Sequence, residues 1–234
     1  MIILDELIQS NQMKKIVVLT GAGISAESGI STFRDANGLW ENHDIMEIAS
    51  PQGWHKNPEL VLNFYNQRRK QLKEVQPNAA HHFLKDLEAK YEVVIITQNV
   101  DDLHERAGSS HIIHLHGELL KVRSESNENL IYEHSEDVNL GDLAEDGAQL
   151  RPHIVWFGEM VPMMEKAVEE VANADIMLVI GTSLQVYPAA SLIDFIEFGK
   201  PIFVIDPNSV SVPNNPHIQI IKKTATKGVL DLEL

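Results

Sequence analysis

The chain has 234 residues, enough for one large domain or a large one with a small companion. Its formal net charge of −15 argues against unspecific nucleic-acid binding and suits an enzyme that favours basic protein segments. Cysteine is absent, which excludes disulfides, thiol catalysis and cysteine-ligated zinc.

The N-terminus carries Asp5 and Glu6 and no basic region, so no secretory signal is expected there, and no apolar run approaches a membrane span. A cytoplasmic protein is the expectation. Leu4–Met13 reads as an amphipathic helix. Ile16–Leu19 is an apolar run that predicts a buried strand. Thr20-Gly21-Ala22-Gly23-Ile24-Ser25-Ala26 follows at once. Gly21 can turn sharply and Gly23 lets backbone approach a phosphate closely. Ser25, Glu27 and Ser28 fall where a helix is expected to start, with free N–H groups facing an anion. An ordinary dinucleotide fold would place a second strand and an acidic residue about 20 residues on. Here the chain runs instead into Ser31–Trp40, polar and glycine-punctuated but holding Phe33, Leu39 and Trp40. That combination predicts an ordered loop lying over a cofactor.

His43–Trp54 is mixed and short-helical. Asn57-Pro58 opens a stronger helix, Glu59–Glu74, whose Val61, Phe64, Tyr65 and Leu72 recur at helical spacing. Arg68 falls on that apolar stripe, where a charge is not expected. Pro77-Asn78 breaks the chain before a helix over Ala79–Lys90. Val93–Thr97 is a second buried strand with Gln98-Asn99-Val100-Asp101-Asp102 at its end. A short helix then ends at Ala107, capped by Gly108. Ile112–Leu115 predicts a strand running into His116-Gly117-Glu118. Lys121–Gln149 is acidic and poor in apolar residues, an inserted module of one or two hairpins with Leu130, Ile131 and Tyr132 as its core. Ile154–Phe157 is extended, Met163–Asn173 helical and Asp175–Ile180 a strand that ends in Gly181-Thr182-Ser183. Pro188–Phe198 predicts a helix with proline at its start. Ile202–Ile205 is a strand ending in Asp206-Pro207-Asn208, and Ile218–Ile221 is the last strand.

Strands alternating with helices predict an α/β fold with a doubly wound, mostly parallel sheet. Ligands of such sheets bind outside the carboxyl ends of the strands. Four polar clusters belong to that edge: Gly21–Ser25, Gln98–Asp101, Gly181–Ser183 and Asp206–Asn208. An adenine dinucleotide needs phosphate donors and ribose-hydroxyl acceptors, and Asp206 is well placed as an acceptor. Cleavage of a glycosidic bond creates an electron-poor ribose, for which a neutral histidine base is useful. Strand alternation turns His114 and His116 the same way, opposite Ile113 and Leu115, and spacing does not choose between them.

Taken together, Thr20–Trp40, Gln98–Asp101, His114-Leu115-His116-Gly117, Phe157-Gly158-Glu159, Gly181-Thr182-Ser183 and the end near Ala225 resemble the sirtuins, the NAD-dependent protein-lysine deacylases. The resemblance spans nearly the whole chain. It implies a Rossmann-like domain from residues 1–35, 76–117 and 151–234, with insertions at 36–75 and 118–150. It implies NAD as cofactor, held by Gly21, Ala22, Gly23, Ser25, Ala26, Thr32, Phe33, Arg34, Trp40, Gln98, Asn99, Asp101, His116, Gly181, Thr182, Ser183, Asp206, Pro207, Asn208 and Ala225. The acyl oxygen would attack the ribose carbon bearing nicotinamide. His116 would then act as general base on the ribose hydroxyls, with Asn99 and Asp101 orienting that ribose, to give O-acyl-ADP-ribose. The substrate would be acylated lysine of proteins or peptides, bordered by Val155, Phe157, Gly158, Glu159 and Val186. Tyr65-Asn66-Gln67-Arg68 is similar to the Tyr-x-x-Arg of the subgroup that removes succinyl and malonyl groups, and Ala36 to the small residue that widens its acyl pocket. One departure is plain: most sirtuins carry four zinc cysteines after the catalytic histidine, and Lys121–Gln149 has none and only His134. A zinc-free small module is therefore expected, with no metal, no nucleic acid or membrane partner, and a monomeric protein. ADP-ribosyl transfer or NAD hydrolysis in the same cleft is the alternative activity. A catalytically silent binding module is disfavoured by the intact His116, Asn99 and Asp101, and an oxidoreductase by the absent acidic second-strand signal.

Overall fold

The computed structural model describes residues 13–31, 39–40 and 43–234. The expected helix over Leu4–Met13 and the loop positions Thr32, Phe33, Arg34 and Ala36 lie outside the described residues or extend beyond them. The strands are β1 (Lys15–Thr20), β2 (Leu39–Trp40), β3 (His43–Asp44), β4 (Glu92–Thr97), β5 (Ile112–His114), β6 (Gly117–Ser124), β7 (Ile131–Glu133), β8 (Leu150–Ile154), β9 (Ile176–Ile180), β10 (Ile202–Ile205) and β11 (Ile218–Ile221). The helices are α1 (Ala22–Ser25), α2 (Ile45–Ile48), α3 (Pro51–Lys56), α4 (Pro58–Glu74), α5 (Ala79–Leu87), α6 (Leu103–Ala107), α7 (Met164–Ala172) and α8 (Ala225–Gly228).

Six strands form one sheet in the order β11-β10-β9-β1-β4-β5, and every pair is parallel. Helices cover both faces, which is why the strands read as unbroken apolar runs rather than alternating ones. Val17, Leu19, Val94 and Ile96 pack on one face with Ala167 and Val171 of α7. Ile16, Val18, Val93 and Ile95 pack on the other with Ala80 and Leu84 of α5. From β1 the chain builds outward through β4 to β5 on one side and through β9, β10 and β11 on the other. The strand order therefore reverses beside β1, and a crevice opens at such a point. Among the described residues no helix is long and apolar enough to cross a membrane.

A separate antiparallel sheet, β7-β6-β8, makes the small module. Its buried side is Leu119, Val122 and Ile154, packed on Val61, Phe64, Tyr65 and Leu72 of α4 and on Trp54, Val138 and Trp156. Polar bonds fasten α4 to the same insert. The Asn66 carboxamide donates to the Val138 carbonyl at 2.9 Å and accepts from the Val138 N–H at 3.0 Å. Its oxygen also accepts from Arg69 Nη1 at 2.8 Å, while Arg69 Nε donates to the Leu119 carbonyl at 3.0 Å. Burial pulls the Arg69 guanidinium down to about 10. Trp54 Nε1 donates to Glu125 at 3.0 Å. The module is thus held by its partner helix.

Several sequence expectations shift. The helix after β1 starts at Ala22 and not at Ser25, because Gly21 is already its N-cap. β8 is Leu150–Ile154 rather than 154–157: Arg151 and Pro152 align with β6 although they are not an apolar run. The predicted helix Pro188–Phe198 is a 3₁₀ segment, Ala189–Asp194. Ile131, expected in the module core, is 44 % exposed, and Leu119, Val122 and Val138 fill that place.

Asn66→Ala strips three buried groups of their partner at once. Each unsatisfied buried group costs about 1–3 kcal/mol, so a loss of at least about 2 kcal/mol is expected in urea unfolding. A loss under about 0.5 kcal/mol, the size of a neutral surface change, would show that the helix does not hold the module.

Candidate active site

The crevice beside β1 is shaped by glycine. Gly23 N–H donates to the Gly181 carbonyl at 2.8 Å, joining the turn after β1 to the turn after β9. A Cβ on Gly23 would stand 2.6 Å from the Gly181 Cα, and one on Gly21 would stand 2.8 Å from the Thr182 Cβ. Gly181 itself has a φ of 67°, a left-handed conformation that favours glycine. The result is a bare backbone cradle opening on a cleft of about 420 Å³. Residues of all four strand-end clusters line it: Gly21 to Gly23, Gln98 to Asp101, Gly181 to Ser183, and Asp206 to Asn208. The cradle, with the buried Asp206 carboxylate accepting from Asn208 N–H at 2.9 Å, fits a dinucleotide's phosphates and ribose hydroxyls.

Three side chains of that wall are locked together. Ser25 Oγ donates to Asp101 Oδ2 at 3.0 Å and accepts from Asn99 Nδ2 at 3.1 Å. Asp101 Oδ1 accepts from Leu103 N–H at 3.2 Å. Ser25 is fully buried, and these bonds hold Asn99 and Asp101 in place. Behind them His104 Nε2 lies 3.1 Å from Thr20 Oγ1, which bonds Thr97 Oγ1, which accepts from Asn99 N–H at 3.0 Å. Gln98 Nε2 reaches across to Thr182 Oγ1 at 3.1 Å, a side-chain tie between β4 and β9.

The structure separates the two histidines. β5 ends at His114, so strand alternation stops before His116. His116 borders the cleft, with Nδ1 3.1 Å from the Gln98 carbonyl. A carbonyl only accepts, so Nδ1 carries the proton and the neutral ring keeps its Nε2 lone pair. Burial lowers the His116 pKa and favours that neutral form. His114 is instead paired through Nε2 with Glu105 at 2.6 Å, does not border the cleft, and that pair raises its pKa against the desolvation that opposes it.

On the other side of the cleft stand Tyr65 and Arg68 of α4, with Trp40, Val155, Phe157, Gly158 and Val186. The Arg68 guanidinium sits 5.4 Å from the Phe64 ring centroid. Tyr65 is fully buried, and its hydroxyl accepts from Trp156 Nε1 at 3.1 Å. Glu159 borders the cleft, but its carboxylate is taken up by Arg151 Nη1 at 2.8 Å, by Arg123 and by Trp156 N–H at 2.8 Å. It therefore braces the β8 end. Ala225 opens α8 in the buried core and does not reach the wall, where Thr224 stands instead. Trp156, Gln71 and Glu27 also border the cleft and were missed from sequence. For Trp156 the apolar run Ile154–Phe157 held the signal. No group of three His, Asp or Glu that could hold a metal occurs among the described residues.

Burial raises Asp101 from 3.8 to about 6, against the bonds from Leu103 and Ser25 that lower it. The folded pKa exceeds the unfolded one, so the charged carboxylate costs stability as pH rises from about 4 through 6, and the cost is complete above that. Two units correspond to about 3 kcal/mol. Asp101→Asn is expected to raise the melting temperature at pH 8 by several degrees, with the gain fading toward pH 4. A variant less stable than the parent at pH 8 would contradict this.

The Sir2 family model matches residues 21–188. A Helicobacter pylori protein named NAD-dependent protein deacylase is 60 % identical over 220 residues, covering 94 % of this chain and 96 % of its own. A Bacteroides thetaiotaomicron protein of the same name is 54 % identical over 227 residues, covering 94 % of this chain and 97 % of its own. The solved structure of a Sir2 homologue in complex with NAD superposes with a TM-score of 0.82 at 41 % identity, covering 96 % of this chain and 90 % of that one. With the glycine cradle and the Ser25–Asn99–Asp101 cluster already in place, these matches show that the chain belongs to the Sir2 family, the sirtuins.

Proposed function

We infer that this sirtuin is an NAD-dependent protein-lysine deacylase whose preferred acyl groups end in a carboxylate, succinyl and malonyl before acetyl. The observation that carries the preference is the placement of Tyr65 and Arg68 on one face of α4, bordering the same cleft as His116. A guanidinium beside a phenol is a ready fork for a carboxylate. NAD, when bound, supplies an electrophilic ribose carbon with nicotinamide as leaving group. The remaining work belongs to the chain. The glycine cradle and Asp206 hold the cofactor at the strand ends. Asn99 and Asp101, fixed by Ser25, orient the ribose next to the reacting carbon. His116 takes the ribose hydroxyl proton at Nε2, its ring held by the Gln98 carbonyl. The walls of Val155, Phe157 and Val186 exclude water from the acyl-lysine.

His116→Ala is expected to lower deacylation about 10²–10⁴-fold, the usual share of a general base, while NAD binding by calorimetry is largely kept. In the parent enzyme activity is expected to fall on the acid side only, as Asp101 takes up a proton near pH 6 and the imidazole, its pKa lowered by burial, protonates below the ordinary histidine range. Full turnover in the variant would remove His116 from this role.

Arg68→Met tests the acyl preference. Breaking a desolvated carboxylate pair costs about 2–5 kcal/mol, so desuccinylation kcat/KM is expected to drop from about 30-fold to a few thousand-fold. An acetyl group has no carboxylate to lose, so the succinyl-to-acetyl ratio is expected to collapse. Equal loss on both substrates, or a sharply lower melting temperature, would make Arg68 a structural residue.

A further inference from the structure

The hydroxyl of Tyr65 is left with a proton to give away. An indole N–H is a donor only, so in the 3.1 Å bond from Trp156 Nε1 the phenol oxygen must accept. Its own O–H then needs an acceptor elsewhere. Among the described residues none is bonded to it, although the side chain is fully buried. Buried donors normally find a partner, and an exception calls for one that arrives later. Tyr65 is among the residues that line the cleft, so that partner can come from the substrate.

Trp156 is itself held from three sides. The Arg151 guanidinium lies 3.3 Å from its ring centroid. Its backbone N–H donates to Glu159 at 2.8 Å, and Glu159 in turn grips Arg151 and Arg123. Trp54 packs against the ring at 5.8 Å between centroids. The indole is buried among these contacts. Its N–H therefore occupies one lone pair of the Tyr65 oxygen in a fixed direction, and the phenol proton is turned to the remaining side. An O–H that already accepts a bond is also a stronger donor in a low-dielectric site.

We propose that Trp156 is a positioning residue for acyl-group selection: its indole N–H fixes the Tyr65 hydroxyl as a donor toward the terminal carboxylate of the acyl chain. The proposal rests on the acidic-acyl reading and adds the residue that orients one half of the carboxylate fork. Arg68 supplies charge, and the Trp156–Tyr65 pair supplies direction. The group it selects is a short acyl chain ending in an acceptor.

The test is a double-mutant cycle on Trp156→Phe and Tyr65→Phe, read as kcat and KM with succinyl-lysine and acetyl-lysine peptides. Either single variant is expected to lower the succinyl-to-acetyl ratio of kcat/KM by about tenfold, the size of one weakened bond to a charged group, through KM rather than kcat. The double variant is expected to be no worse than Tyr65→Phe alone. Replacement of Trp156 by 3-benzothienylalanine, which keeps the bicyclic ring and loses only the N–H, is expected to give the same ratio if the phenylalanine variant does not fold. Independent, additive losses in the cycle, or equal losses on both peptides, would overturn the proposal. Arg68→Met run beside them separates the two levels. Undiminished desuccinylation there would remove the acidic-acyl reading and this proposal with it. A collapse there with an unchanged ratio in the Trp156 variants would overturn the proposal alone.

Discussion

The site depends on one close contact: Gly23 against Gly181, backbone to backbone, across the two strands that flank the reversal of the sheet. With no side chain between them, the turns after β1 and β9 merge into one cradle. Everything else is hung from it. Gln98 ties β4 to Thr182, Ser25 reaches from α1 to Asn99 and Asp101, and Asp206 closes the far side. A methyl group at Gly23 would force the two turns apart and disperse groups that come from four strands.

The site stores cost as well as shape. Asp101 is a buried carboxylate with a raised pKa, in a cluster whose hydroxyl and amide partners do not fully offset its desolvation. Arg69 and Tyr65 are buried polar groups on α4, one bonded to the small module and structural, the other with a donor still to place. The same helix thus holds the small module with one residue set and faces the cleft with another. That division explains how a module without any cysteine stands on its partner helix. Asn66 and Arg69 do by hydrogen bonding, and Val61, Phe64 and Leu72 by packing, what a metal does by coordination.

Much of this was legible in the sequence. The strands of the large sheet were found because burial on both faces leaves continuous apolar runs, and the four polar clusters marked their ends. The stripe on α4 was found by its period, Arg68 included. What was missed depends on partners distant in sequence. Ser25 looked like a helix start, yet it bonds Asp101 from the buried side, a pairing across 76 positions that no local pattern contains. Glu159 borders the cleft, but the hold of Arg123 and Arg151 on its carboxylate leaves no local pattern. β8 was displaced because Arg151 and His153 hide a strand whose pairing comes from β6. The choice between His114 and His116 needed the point at which β5 ends, which alternation alone does not give.

The central claim is that one cleft joins cofactor cleavage to removal of an acidic acyl group from lysine. The most direct measurement is a competition among acetyl-, malonyl- and succinyl-lysine peptides of one sequence with NAD, followed by mass spectrometry. The account predicts that malonyl and succinyl peptides are consumed first, that O-acyl-ADP-ribose appears with each lysine freed, and that nicotinamide release waits for acylated peptide. Consumption of the acetyl peptide first, or nicotinamide release at the same rate without any peptide, would contradict it.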